Sequence, residues 1–209
     1  MFDKPIVMLD FETTGLSPDF GDRVTEVAAV RIVKDKVVDK FVSLINCNIR
    51  IPLFISELTG ITQIMIDNAP CVSSVIPKLM QFIGNDIISA HNASFDSKFL
   101  IAESKRLGIR PHSERMICSL MLSRRIFPGL SSYKLSNVSA SLGINFNGNA
   151  HRAEADADVA AQILLYISSH LRKKYNVATV DPNVFSEVNK LSAVNVSSFL
   201  MKKFISREK

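Results

Sequence analysis

The stretch R-V-T-E-V-A-A-V-R-I-V-K-D-K-V-V-D-K-F-V-S-L-I, Arg23 to Ile45, decides the class of fold. Arg23–Val33 alternates well enough for a strand, K-D-K makes a turn, and Val37–Ile45 alternates again in hairpin register. Upstream, residues 5–11 read as a further strand. Downstream the period changes. Val72–Ile83 has helical spacing, Asp86–Ala90 reads as a short strand, and Ser94–Leu107 as a helix stopped by Gly108. Met116–Cys118 reads as a last short strand, before helical segments near Ser119–Ile126 and Lys134–Leu142. The longest helix is expected from Arg152 to Lys174. A hairpin followed by α/β alternation predicts an α/β fold, a mixed five-stranded sheet flanked by helices. After Tyr175 the composition shifts, in N-V-A-T-V-D-P-N-V. Residues 1–175 are therefore read as one domain and 176–209 as an appendage, with a helix near Val196–Ile205, that packs on the domain or meets a partner.

The 209 residues suffice for one sizeable α/β domain, and 47% apolar with 22% charged residues is ordinary for a globular chain. No apolar run is long enough to cross a membrane, and M-F-D-K-P lacks the start of a signal peptide. Cys47, Cys71 and Cys118 are widely spaced and odd in number, which predicts reduced thiols in a cytoplasmic protein. Net charge is +5. Lys98, Lys105, Arg106, Arg110, Arg115, Arg124 and Arg125 fall in one central region, a weak signal for nucleic acid beside the plainer reading of solvated helix faces.

Carboxylates supply the strong signal. In V-M-L-D-F-E-T-T-G-L, Val7 to Leu16, Asp10 and Glu12 point to one side of a strand that otherwise reads as buried. In H-N-A-S-F-D-S-K-F-L, Asp96 shares the inward face of Phe99 and Leu100. In H-R-A-E-A-D-A-D-V-A-A-Q-I-L, Asp156 lies on the stripe of Val159, Ala160 and Ile163, whereas Glu154 and Asp158 fall on the outer face near the helix N-terminus. Either aspartate alone could be a first-turn acid. Four acids at core positions require a positive partner, and oxygen-only ligands favour two divalent cations, Mg²⁺ or Mn²⁺. Two such ions form a clamp for in-line attack at phosphorus. His151, at the helix entrance after N-F-N-G-N-A, is placed to accept a proton from the attacking water. His91, beside Asp96, is its competitor and reads as an orienting residue.

D-F-E-T-T-G, H-N-A-S-F-D and H-R-A-E-A-D resemble, in order and spacing, the three motifs of the DEDD superfamily of 3'–5' exonucleases. The interval His151 to Asp156 matches the His-containing branch, DEDDh; the Tyr branch would place its tyrosine at Arg152. The resemblance covers roughly residues 5–172, includes S-E-L-T-G-I-T (Ser56 to Thr62), and is nearest the proofreading subunits of bacterial DNA polymerase III and their stand-alone relatives. It implies a ribonuclease H-like fold. It implies also that Asp10 bridges two metals, that Glu12 and Asp156 help hold one, that Asp96 serves the other, and that His151 is the general base. Thr14 and Gly15 would approach the terminal nucleotide, with Leu16 and Phe95 flanking its base or sugar; core packing is the alternative for both.

The expected activity is 3'–5' release of nucleoside 5'-monophosphates from DNA, acting on single-stranded 3' ends, with a polymerase as a candidate partner and no membrane. Two alternatives stand beside it. One is an RNA-directed exonuclease of the same family. The other is an interaction protein recruiting a polymerase or repair factor through the appendage, with Val184, Phe185, Phe199, Leu200 and Phe204 as anchors.

Overall fold

Alternation along the first strand sorts the interior into two cores. In the computed structural model, which describes residues 1–110, 116–145 and 150–205, strand β1 (Ile6–Thr13) sends Ile6 and Met8 to one side and Val7, Leu9 and Phe11 to the other. Strands β2 (Val24–Val33) and β3 (Lys36–Leu44) complete an antiparallel meander. Strands β4 (Ile87–Ala90) and β5 (Ile117–Cys118) then run parallel to β1, giving the sheet order β3-β2-β1-β4-β5. This is the expected mixed five-stranded sheet.

Nine α-helices occupy the described residues: α1 (Leu53–Thr59), α2 (Gln63–Asp67), α3 (Val72–Ile83), α4 (Ala93–Arg106), α5 (Ser119–Ile126), α6 (Leu135–Ser141), α7 (Ala153–Tyr175), α8 (Asn183–Lys190) and α9 (Ala193–Ile205). Helices α3 and α4 cover the Val7–Leu9–Phe11 face, burying Val75, Ile76, Leu79, Phe99 and Leu100. Helix α7 covers the other face. Its buried small residues, Ala153, Ala157, Ala160 and Ala161, suit a close approach to the sheet, and Ile163, Leu164 and Ile167 fill the space behind them. Complete burial of a side chain such as Phe99 or Ile163 contributes about 1.5–3 kcal/mol.

All five strands and six of the nine helices lie within three residues of the sequence expectation, while α1, α2 and α8 were not anticipated. Residues 176–205 return to the α7 core. Phe2 packs edge-on against Phe185 at 5.7 Å between ring centres, Phe2 and Val180 form a parallel bridge, and Val184, Val188, Val196, Leu200 and Phe204 are buried. Phe199 is partly buried against the same core. Asn189 of α8 also closes one edge of the sheet: its carboxamide accepts from Cys118 N–H at 2.8 Å and donates to Cys118 C=O at 3.1 Å. Arg115, His112 and most of the N-F-N-G-N-A segment lie outside the described residues.

Candidate active site

The carboxylates converge at the C-terminal end of β1. Asp10 and Glu12 continue the Ile6–Met8 face, so they look toward the N-terminal turn of α7, where Asp156 sits. Asp96 is buried in the first turn of α4 and its Oδ1 accepts from the Phe11 N–H at 3.2 Å, which ties α4 to β1 between the two strand acids. Oxygen atoms of Glu12 and Asp156 and a ring nitrogen of His151 lie within 4.8 Å of one another. Asp10 and Asp96 stand beside that group, not within it.

Charge confirms the proximity that chain geometry sets. Burial pushes Glu12 up to about 8, aided by Asp156, Glu26 and Asp96, with Arg152 pulling the other way. Burial likewise pushes Asp96 up to about 8 against the Phe11 N–H that favours its ionised form. Asp10 is raised well above the usual carboxylate range by burial and then by Asp96, Glu12 and Asp156. Asp156 rises to about 6 through burial, restrained by the His151 ring and backbone. Among the described residues, no arginine or lysine hydrogen-bonds any of these four acids. Asp156 Oδ1 is buried with no partner at all. An orphaned carboxylate oxygen amid mutually repelling acids fits a divalent cation, and the donor set is one that Mg²⁺ or Mn²⁺ accepts.

The two histidines separate cleanly. His151 is exposed, in a left-handed backbone conformation (φ +63°) immediately before α7. His91 is half-buried and spoken for at both nitrogens, with Ser119 Oγ at 2.9 Å from Nδ1 and Tyr133 C=O at 3.0 Å from Nε2. Nε2 therefore donates to the carbonyl and Nδ1 accepts from the serine; burial depresses this ring to about 4. His91 fastens the end of β4 to Ser119 of α5 and to the Tyr133 carbonyl.

Glu26 went unnoticed in the sequence. It faces Glu12 across the β1–β2 ladder and is buried, yet its carboxylate is fully engaged. Arg152 meets it through Nε at 3.1 Å and Nη2 at 2.6 Å, and Ala153 N–H donates at 3.0 Å. This bidentate clamp fixes the first turn of α7, which carries Asp156 and is preceded by His151, onto β2. The partners are 126 residues apart, so only a Glu on the strand's inward face hinted at it. Glu154 and Asp158, expected to be solvated, both pair with Lys40 of β3, at 3.2 and 2.5 Å.

Beside the acids opens a pocket of about 600 Å³, lined by Glu12, Thr14, Gly15, Leu16 and Phe95 together with Phe54 and Leu58 of α1. Leu16 is 78% exposed and Phe54 64%, so the rim of the pocket is apolar. Phe95 lines this pocket and packs on Phe99 at 5.0 Å between ring centres. Thr14 is buried, its Oγ accepting from Arg23 N–H. Gly15 is required first by Asp22: a Cβ there would run into the Asp22 carboxylate, which accepts from Ser17 N–H at 2.9 Å and holds the loop shut. Phe54 and Leu58 were missed because they face outward on a two-turn helix, where periodicity is uninformative.

Fold and site together define a nuclease of ribonuclease H-like architecture. The family model described as Exonuclease (RNase_T) matches residues 7–164. The chain is 33% identical over 177 residues to the DNA polymerase III subunit epsilon of Aquifex aeolicus, covering 85% of this chain and 87% of that one. It is 34% identical over 191 residues to a PolC-type DNA polymerase III of Clostridium perfringens, where it covers 90% of this chain but spans only 13% of the relative's length. Among solved structures, exonuclease X in complex with 5'-overhanging duplex DNA superposes with a TM-score of 0.65 at 25% identity, over 79% of this chain and 92% of that one. The nuclease domain of 3'hExo, a DEDDh family member bound to rAMP, has the same fold at a TM-score of 0.69 and 24% identity, over 80% and 92% of the two chains. The chain belongs to the exonuclease family, a family that uses divalent metal ions. Among the described residues, no helix is long and apolar enough to cross a membrane.

Proposed function

We propose that the chain is a 3'–5' exonuclease that hydrolyses the terminal phosphodiester of DNA and releases nucleoside 5'-monophosphates. The observation that carries this reading is the group of Glu12, His151 and Asp156 within 4.8 Å, flanked by Asp10 and Asp96 and opening onto an apolar-rimmed pocket. The four acids, Asp10, Glu12, Asp96 and Asp156, are the residues to hold two divalent cations, which when bound supply positive charge to the phosphodiester and the oxygens that gain charge in the reaction. Leu16, Phe54, Leu58 and Phe95 take the terminal base and sugar, and Thr14 and Gly15 set the backbone that approaches it. His151, exposed beside Asp156, takes the proton of the attacking water. The water's oxygen bonds to phosphorus as the P–O3' bond breaks, the departing O3' takes a proton from solvent so that the strand keeps a 3'-hydroxyl, and the monophosphate leaves. The clamp of Glu26 on Arg152 keeps His151 in place without a part in the chemistry.

The relatives favour DNA, since those quoted are parts of DNA polymerases; the 3'hExo neighbour, bound to rAMP, supports the RNA reading as the second choice. A polymerase is the candidate partner by the same relatives, and residues 1–175 are the proposed catalytic unit. The deciding assay is hydrolysis of 5'-labelled single-stranded DNA and RNA of one sequence, with Mg²⁺, Mn²⁺ or EDTA. A metal-dependent ladder shortening from the 3' end of DNA is expected. A ladder on RNA alone would reassign the substrate, and no ladder with either would remove the exonuclease reading. His151→Ala should slow the reaction by about 10²–10⁴ at neutral pH; an unchanged rate would take His151 out of it.

A further inference from the structure

The first turn of α4 divides two cavities. Phe95 faces the pocket beside the acids, and Ser94 and Ser97 face the second, a cleft of about 630 Å³ between α4, α5 and α8. Met121 and Arg124 line it from α5, Asn189 and Lys190 from α8. Such a volume is within the usual range for organic ligands, about 300–1,000 Å³. Its electrostatics are the reverse of the acidic site's. Among the described residues, Arg124 and Lys190 are exposed and neither pairs with a carboxylate. Of the other basic residues foreseen as a nucleic-acid signal, Arg106 is engaged by Glu103 and Pro18 C=O, Arg125 by Leu191 C=O and Lys98 by Leu16 C=O. Apolar floor is supplied by Met116, Leu120 and Met121, of which methionine adapts readily to a flat face. A cationic groove with apolar walls is what single-stranded nucleic acid selects.

Resting on the proposed activity, we infer that this cleft holds the nucleotides on the 5' side of the scissile bond, with Arg124 and Lys190 against two of their phosphates. A strand whose last nucleotide fills the pocket rimmed by Leu16 and Phe54 crosses the α4 turn, past Asp96, into the cleft. One side of the binding wall, Ser186, Asn189 and Lys190, then comes from α8, beyond the residues that match the exonuclease family. That helix is set rigidly for the purpose, by the double hydrogen bond of Asn189 to Cys118 and the buried Val184, Phe185 and Val188. Residues 176–205 would thus belong to the substrate path.

The test is fluorescence anisotropy of 5'-labelled thymidine oligonucleotides of two, four and ten residues, in EDTA so that nothing is cleaved. The Arg124→Ala/Lys190→Ala variant should bind the dinucleotide as the wild type does and the decamer about tenfold more weakly. Its slope of log Kd against log salt should be shallower by about 1.4, two phosphate contacts at about 0.7 each on a single strand. Equal affinity and slope on the decamer would overturn the inference, and so would the same loss at every length. The exonuclease reading is checked apart from this, by wild-type hydrolysis of the nitrophenyl ester of thymidine 5'-monophosphate with Mn²⁺. Failure there strikes the activity while the EDTA binding result still decides the cleft.

Discussion

Two sets of carboxylates wholly or partly withdrawn from water, adjacent where Glu12 faces Glu26, are treated in opposite ways. Glu103 in α4 is wholly buried and is gripped by Arg23 at 2.8 and 3.0 Å and by Arg106 at 3.0 Å; Glu26 has Arg152 and a backbone N–H. Asp10, Glu12, Asp96 and Asp156 have no arginine or lysine on them among the described residues, and all four are pushed toward the protonated form. Asp96 is as buried as Glu103 and Glu26, so burial alone does not separate structural from functional acids. Compensation does. The arginine-held acids brace the loops and turns around the site, Glu103 beneath the Thr14–Arg23 loop and Glu26 beneath α7, while the uncompensated acids are left short of positive charge that must come from outside.

The comparison breaks most visibly at Asp10. Asp10→Asn should lower the exonuclease rate by at least about 10⁴, equivalent to ~5.5 kcal/mol of transition-state stabilisation, yet leave the melting temperature in EDTA equal to or above the wild type's, because one repelling charge is gone. A variant that unfolds would show that Asp10 is structurally compensated after all. Next comes the braced set. Glu103→Gln removes the partner of two arginines that are mostly out of water, at a cost of about 3 kcal/mol, the low end for a broken buried ion pair. Thermal denaturation should show Tm falling by roughly 6–12 °C. Glu12→Gln, measured in parallel in EDTA, should raise Tm instead; a fall of similar size in both would erase the distinction between the sets.

The smallest effect is in pH. Acids whose folded values are raised bind protons more tightly in the folded chain, so their contribution to stability is present below their ordinary values near 4 and lost as pH rises through the folded ones. For Glu12 and Asp96 that loss extends to about pH 8. His91, depressed to about 4, works in the other direction, but only below about pH 6.5. Between pH 6.5 and 8 the raised acids set the sign: in EDTA Tm should fall, by on the order of 5 °C. Added Mn²⁺ should restore it through binding to the folded state. A flat profile in EDTA would mean that the chain neutralises these acids by itself.

The sheet and the four acids were legible because each rests on a short-range pattern: alternation along Arg23–Ile45, and carboxylates on the apolar stripes of α4 and α7. Glu26 was not, since nothing local distinguishes it from any strand residue and its partner lies in a distant turn. Helices α1 and α2 were hidden by their shortness and by outward-facing Leu53, Phe54 and Leu58, which obey the pocket and not the core. Helix α8 was hidden by its start at Pro182 in a stretch of turn-forming residues. Gly15 was read for its nucleotide, whereas its nearest neighbour is Asp22.

Asn189 has a consequence of another kind. Its carboxamide offers Cys118 the same donor and acceptor that a further strand's peptide group would, so the β5 margin is already capped and cannot template a neighbouring chain. The opposite margin is guarded differently, by the charged Lys36, Asp39 and Lys40 along β3. Sheet-to-sheet growth, the usual hazard of an open sheet, is blocked at one end by a side chain acting as counterfeit backbone and discouraged at the other by charge.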